Sequence, residues 1–187
     1  KFLTFNKNYK LTTNEYGSSY IHAHRMDLYN FLKDNNLLND CYASFKFIKE
    51  FDNNFGEEAS TWDVNHTFPY SSHEVKKEIW DDAFLQIVTE SKVDSKCQIQ
   101  DHFIQKTLTI DLDYMTEKTA KAVASNMPFI IIGVCGLLKR LHKLGFKTFA
   151  DFWDESYDDV QDYSERLEKI KEIIKWVASK NLDELKD

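Results

Sequence analysis

The four residues Phe129–Ile132 lie between Pro128 and Gly133 and are apolar without exception (FIII). A run this short has no room for an amphipathic helix, and it has no polar position to turn towards water. It therefore reads as a strand covered on both faces. Pro128 ends whatever helix precedes it, because proline lacks an amide hydrogen and disfavours the helical conformation of the residue before it. Phe84–Thr89 (FLQIVT), apolar but for Gln86 and Thr89, reads as a second such strand and leads directly into Glu90. Short, doubly covered strands are characteristic of parallel sheets flanked by helices.

Helical patterns alternate with such runs along the chain. Lys1–Asn6 (KFLTFN) opens as a strand. Residues 7–21, rich in Asn, Thr, Ser and Tyr, read as a loop leading into a helix over 22–38, with Met26, Tyr29 and Leu32 on one side. Cys41–Ile48 (CYASFKFI) is the next strand, and residues 49–71, with Gly56 and Pro69, read as irregular. Ser71 and Glu74 stand at capping-box spacing and open a helix through Ala83. Residues 92–113 are ambiguous, with Thr107–Leu112 either a short strand or an extended loop.

Thr116 caps a helix whose expected inner face is Ala120, Val123, Ala124 and Met127. Gly133 and Gly136 turn the chain into a helix carrying Leu137, Leu138, Leu141 and Leu144, which Gly145 terminates. The last helix shows a stripe of Val160, Tyr163, Leu167, Ile170, Ile174 and Val177, starting near Asp158 or Asp162. The expected fold is α/β, a Rossmann-like, mainly parallel sheet flanked by helices. With no internal repeat or low-complexity tract, residues 1–187 read as a single domain.

At 187 residues and 42% hydrophobic content, the chain can bury a sizeable core. Its net charge of -7 argues against nonspecific binding to nucleic acid or an anionic membrane, though it leaves room for a local basic pocket. Cys41, Cys97 and Cys135 share no close spacing and read as reduced thiols of a cytoplasmic-type compartment. No apolar run approaches the ~20 residues of a membrane helix. The chain begins at Lys1, already inside a strand pattern, which reads as a fragment or a processed product.

Four groups of residues carry possible chemistry. The first is Thr116-Glu117-Lys118, at a helix N-terminus, where unsatisfied N–H groups and a partial positive charge favour phosphate. Lys118 adds a cation for a diphosphate, and Glu117 can accept hydrogen bonds from a ribose hydroxyl pair; the plainer reading is an ordinary capped helix. The second is His22-Ala23-His24-Arg25, after the first strand, where Arg25 can grip phosphate with its planar fork or simply be a solvated helix arginine. The two histidines point apart on a helix, which disfavours a shared metal.

The third group is Trp153-Asp154-Glu155-Ser156-Tyr157. Acids among aromatics can hold sugar hydroxyls, or else cap the last helix while the aromatics fill the core. The fourth, Asp111-Leu112-Asp113, matches a D-x-D pattern for a divalent cation, but in a chain with 31 acidic residues such a pattern arises readily by chance. There is no G-x-G-x-x-G, no G-x-x-x-x-G-K-[ST], no G-x-S-x-G and no paired cysteine ligands, so hydride transfer, P-loop hydrolysis and serine esterase chemistry lack support.

Ile87-Val88-Thr89-Glu90-Ser91, then Tyr114-Met115-Thr116-Glu117-Lys118, then Ala122 and Pro128–Gly133 together resemble the donor-binding, C-terminal half of GT-B glycosyltransferases. The closest parallel is the α1,3-fucosyltransferase pattern of phenylalanine-glutamate-asparagine-serine, tyrosine-isoleucine-threonine-glutamate-lysine and a proline-led strand. The resemblance covers residues 84–133, with a looser match over Lys1–Arg25. The whole chain is also similar to uncharacterised glycosyltransferase-like proteins of phage and viral genomes, which would put it in the cytoplasm of an infected cell.

The resemblance implies a nucleotide-diphosphate-sugar substrate, with no cofactor and no metal. Glu117 would bind ribose, Lys118 the diphosphate with Thr116 at the helix start, Tyr114 would lie beside the nucleotide, Arg25 would hold phosphate and Glu90 would shape the pocket. The departures are that Thr89-Glu90-Ser91 lacks the family's asparagine and that a longer spacer precedes Tyr114. The expected function is a nucleotide-sugar glycosyltransferase or its donor-binding half, with Asp154 and Glu155 as candidates for the general base. The acceptor is not specified, and a missing N-terminal domain would supply its site. The alternative is a noncatalytic, virion-associated or binding protein built on the same fold.

Overall fold

The computed structural model describes residues 2–6, 10–14, 17–21, 23–48, 60–64, 77–93, 96–101, 106–111 and 115–181. The chain forms two compact units, Lys1–Thr89 with Leu182–Asp187, and Glu90–Asn181. The architecture is α/β and Rossmann-like, with parallel strands flanked by helices.

In the first unit, strand β1 (Phe2–Asn6) is followed by an antiparallel hairpin, β2 (Lys10–Asn14) and β3 (Gly17–Ile21), that pairs Asn14 with Gly17. The sequence reading of this stretch as a loop is therefore corrected. Thr, Ser and Tyr favour a pleated backbone, and two polar strands satisfy each other's amides without needing an apolar periodicity.

Helix α1 (Ala23–Asp34) follows and buries Leu28, Phe31 and Leu32. It ends earlier than its apolar pattern suggests, because Asn36 adopts a left-handed conformation (φ 58°). The amide of Leu37 then reaches Leu32 O at 2.8 Å and that of Asn36 reaches Lys33 O at 3.0 Å, the paired bonds that close a helix C-terminus.

Strand β4 (Cys41–Ile48) pairs in parallel with β1, aligning Phe2 with Cys41, so β1, α1 and β4 form a crossover unit. The segment expected to be irregular contains β5 (Ser60–Val64), antiparallel to β4. Helix α2 (Lys77–Asp82) lies within the helix expected from Ser71, whose capping-box residues lie outside the described residues. Strand β6 (Leu85–Thr89) pairs in parallel with β1, giving the order β5-β4-β1-β6, and is buried at every position. Thr4 stays buried by donating its hydroxyl to Ile87 O at 2.9 Å.

In the second unit, the ambiguous residues before Asp113 form another hairpin, β7 (Lys96–Asp101) with β8 (Lys106–Asp111). Helix α3 (Glu117–Ala124) leads to β9 (Phe129–Ile132), buried throughout as its composition requires. Helices α3 and α5 (Tyr163–Ser179) both contact β9. Between β9 and α5 come α4 (Leu137–Lys143), which buries Leu137, Leu138 and Leu141, and a 3-10 turn over Ser156–Asp159. The stripe of α5 is buried at Leu167, Ile170, Ile174 and Val177, as its period predicts.

Candidate functional site

Helix α3 begins where its sequence signature places it. Thr116 takes an extended conformation (φ -108°, ψ -178°), and its hydroxyl oxygen accepts the amide of Lys118 at 3.3 Å. The buried face agrees with the expected one at Met127, which is buried just past the helix, but differs from it elsewhere. Thr119 and Ala122 are buried, whereas Ala120 and Ala124 are exposed. The cause is Glu90, a carboxylate with no solvent exposure that immediately follows β6 and donates its own amide to Ile132 O at 2.9 Å.

Both oxygens of Glu90 are directed at the start of α3. Oε1 accepts the amide of Thr116 at 3.0 Å, the hydroxyl of Thr119 at 2.6 Å and the amide of Thr119 at 3.3 Å. Oε2 accepts the hydroxyl of Thr116 at 2.5 Å and the amide of Ser91 at 3.3 Å. Five donors around one carboxylate satisfy a group that burial would otherwise make very costly. Its negative charge also offsets the positive end of the α3 dipole.

Lys118 lies on this cap. Its Nζ is 3.0 Å from Glu117 Oε1, 3.2 Å from Ser91 Oγ and 3.3 Å from Thr116 Oγ1. The hydrogen bond from Lys118 is the main reason that the Glu117 carboxyl is held below its ordinary range. Glu117 is 63% exposed and Lys118 26%, so this outer layer presents an anion and a cation that a ligand can reach. The amides of Lys118 and Thr119, which an anion at the helix start would seek, are already engaged. Phosphate affinity here must come chiefly from the Lys118 ammonium.

The structure thus brings together Glu90, Thr116, Glu117 and Lys118. Arg25 is buried in α1 of the other unit, as is His24 beside it. Tyr114 and Asp113 lie outside the described residues, as does His22, and Asp111 is described only in its backbone at the end of β8.

Asp154 and Glu155 both close a loop. Glu155 accepts the amide of Phe149 at 2.8 Å and the hydroxyl of Thr148 at 2.5 Å. Asp154 accepts the amide and hydroxyl of Ser156, both at 2.8 Å, and these bonds lower its pKa. A carboxylate made more acidic in this way is a weaker base.

Two groups that sequence reasoning passed over complete the same unit. Asp158, read as a possible start of the last helix, instead accepts the amides of Leu138 and Lys139, each at 3.0 Å, at the start of α4. That helix needs an outside cap because its own N-cap is Gly136, which has no side chain. Helix α5 is capped by Asp162, whose Oδ1 accepts the Glu165 amide at 2.9 Å. Carboxylates therefore close all three helices. Arg166 is the second group, a buried arginine on α5, and its only sequence signal is a charge on the flank of an apolar stripe.

Among the described residues, no group of three or more His, Cys, Asp or Glu side chains is arranged to hold a metal ion, and no helix is long and apolar enough to cross a membrane. Comparisons with family models, curated proteins and solved structures find no match for the chain.

Proposed function

We propose that this chain is a nucleotide-sugar glycosyltransferase, or the donor-binding half of one, with the diphosphate held without metal. The observation that carries the reading is the pairing of Glu117 and Lys118 at the start of α3, on a buried cap formed by Glu90. Breaking a glycosyl–phosphate bond leaves negative charge on the departing diphosphate, and a positioned cation lowers the cost of that charge. Lys118 supplies the cation. Glu117, anionic at neutral pH, accepts hydrogen bonds from the ribose hydroxyls. On this reading Glu90 acts beneath the ligand, fixing the helix that carries both contacts.

Calorimetric titration with GDP, UDP, ADP and CMP, with and without Mn²⁺, tests the proposal on the wild type and on Lys118→Ala. Metal-independent binding of one nucleotide, weakened at least about tenfold in the variant, is the expected result. Binding only with Mn²⁺ would redirect attention to Asp111 and Asp113. Binding of none would favour the second reading, a noncatalytic, virion-associated or binding protein. Leu144, Phe146, Phe152 and Trp176, large apolar side chains exposed in the second unit, favour that reading because they suit an assembly contact.

A further inference from the structure

Arg166 is 3% exposed and stands in the first turn of α5, where the helix dipole disfavours a cation. A guanidinium placed so unfavourably needs compensation, and four main-chain carbonyls provide it. Nε donates to Gly133 O at 3.1 Å, and Nη1 donates to Val160 O at 2.5 Å and to Gln161 O at 3.1 Å. Nη2 donates to Val93 O. These carbonyls belong to three separate stretches of chain: the exit of β9, the approach to α5, and the segment that runs on from Glu90 and Ser91.

We infer that Arg166 is a positioning residue for the Glu90–Lys118 site. Its fork clamps Val93 to Gly133, and so fixes the segment Glu90–Val93 at both ends. At the first end, Glu90 binds the start of α3 and its amide binds Ile132. At the other, Val93 is held by Arg166. Ser91 lies between them and meets the Lys118 ammonium at 3.2 Å. Lysine cannot reproduce the fork, since it presents a single ammonium where arginine presents five N–H donors in a plane.

The consequence for nucleotide binding rests on the proposed donor-site reading, whereas the positional consequence does not. The test combines amide hydrogen exchange with GDP, UDP, ADP and CMP titration, on wild type, Arg166→Lys, Arg166→Met and Ile174→Val, the last a destabilised control on α5. Exchange at Ser91–Val93 and at Thr116–Thr119 should rise at least about tenfold in Arg166→Met and less in Arg166→Lys. Amides of Leu141 and Ile170 should change no more than in the control. Nucleotide affinity should fall in the same order. A rise spread evenly over the whole unit, or none at Ser91–Val93, overturns the assignment. If the wild type binds none of GDP, UDP, ADP and CMP, the donor reading fails, and the exchange pattern alone still decides the role of Arg166.

Discussion

Glu90 and Thr119 are joined twice through a single oxygen, Oε1 accepting both the hydroxyl at 2.6 Å and the amide at 3.3 Å of the same threonine. This double contact turns α3 so that Thr119 faces inward. It makes a buried carboxylate the distant cap of a helix whose N-cap residue, Thr116, stands 26 residues later in the chain. In Glu90→Gln, an amide NH₂ would face donors instead of accepting from them. The expected loss is about 1.5–3 kcal/mol of stability, because the disrupted hydrogen bonds involve a charged group. Urea unfolding measures it, and a change below about 0.5 kcal/mol would remove Glu90 from this structural role.

Lys118 and Glu117 should behave differently from Glu90. Their ion pair lies at the surface, so Lys118→Ala should alter stability by less than about 1 kcal/mol. Loss of the ammonium should return the Glu117 carboxyl towards its ordinary pKa, seen by NMR titration. The folded pKa of Glu117 is depressed. Its stabilising contribution is therefore present above the ordinary carboxylate value of about 4.3 and lost as pH falls through the folded one. An unchanged titration in the variant would mean that Lys118 is not the cause of the shift.

Asp158 accepts two amides at the start of α4, and Gly136 donates its own amide to Asp158 O at 2.7 Å. Asp158→Ala should cost about 1–2 kcal/mol and speed exchange of the Leu138 and Lys139 amides first. Gly136→Ala tests the same turn from the backbone side. The glycine has φ 80° and open space where a Cβ would stand, so the cost, about 1–2 kcal/mol, is conformational only. Equal stability in Gly136→Ala would show that the turn has relaxed to a different conformation.

How far the sequence revealed these features follows from which forces leave a local trace. Phe129–Ile132 and Leu85–Thr89 were legible because strands covered on both faces become short, mostly apolar runs. The β2–β3 hairpin was not, since Thr, Ser and Asn carry much of it without an apolar period, whereas β8 overlaps the short strand that Thr107–Leu112 allowed. Thr116 was legible as a cap because its acceptor serves an amide two residues away. Glu90, Asp158 and Arg166 each act on at least one group 20 or more residues distant, and no spacing rule reaches that far. Part of the inner face of α3 was misassigned for the same reason. Its hydrophobic residues suggested Ala120 and Ala124, but a buried hydrogen bond to Thr119 decided the rotation.

Cys41 offers a pH-dependent test away from the site. Burial, reinforced by the negative charge of Asp40, raises its thiol from an ordinary value of 9.0 to about 12. Below pH 9 the thiol is neutral in both folded and unfolded chains and its contribution to stability is fully present. Between pH 9 and 12 the unfolded chain ionises first, so that contribution is progressively lost as pH rises. Cys41→Ser or Cys41→Ala should therefore flatten the alkaline fall in stability relative to wild type. The nucleophile is the thiolate, so Cys41 should also resist iodoacetamide at pH 8 while half-buried Cys135 reacts, with peptide mass spectrometry distinguishing the two. Labelling of Cys41 as fast as Cys135 would mean that β4 opens readily at that end, and the raised pKa would then have no bearing on stability.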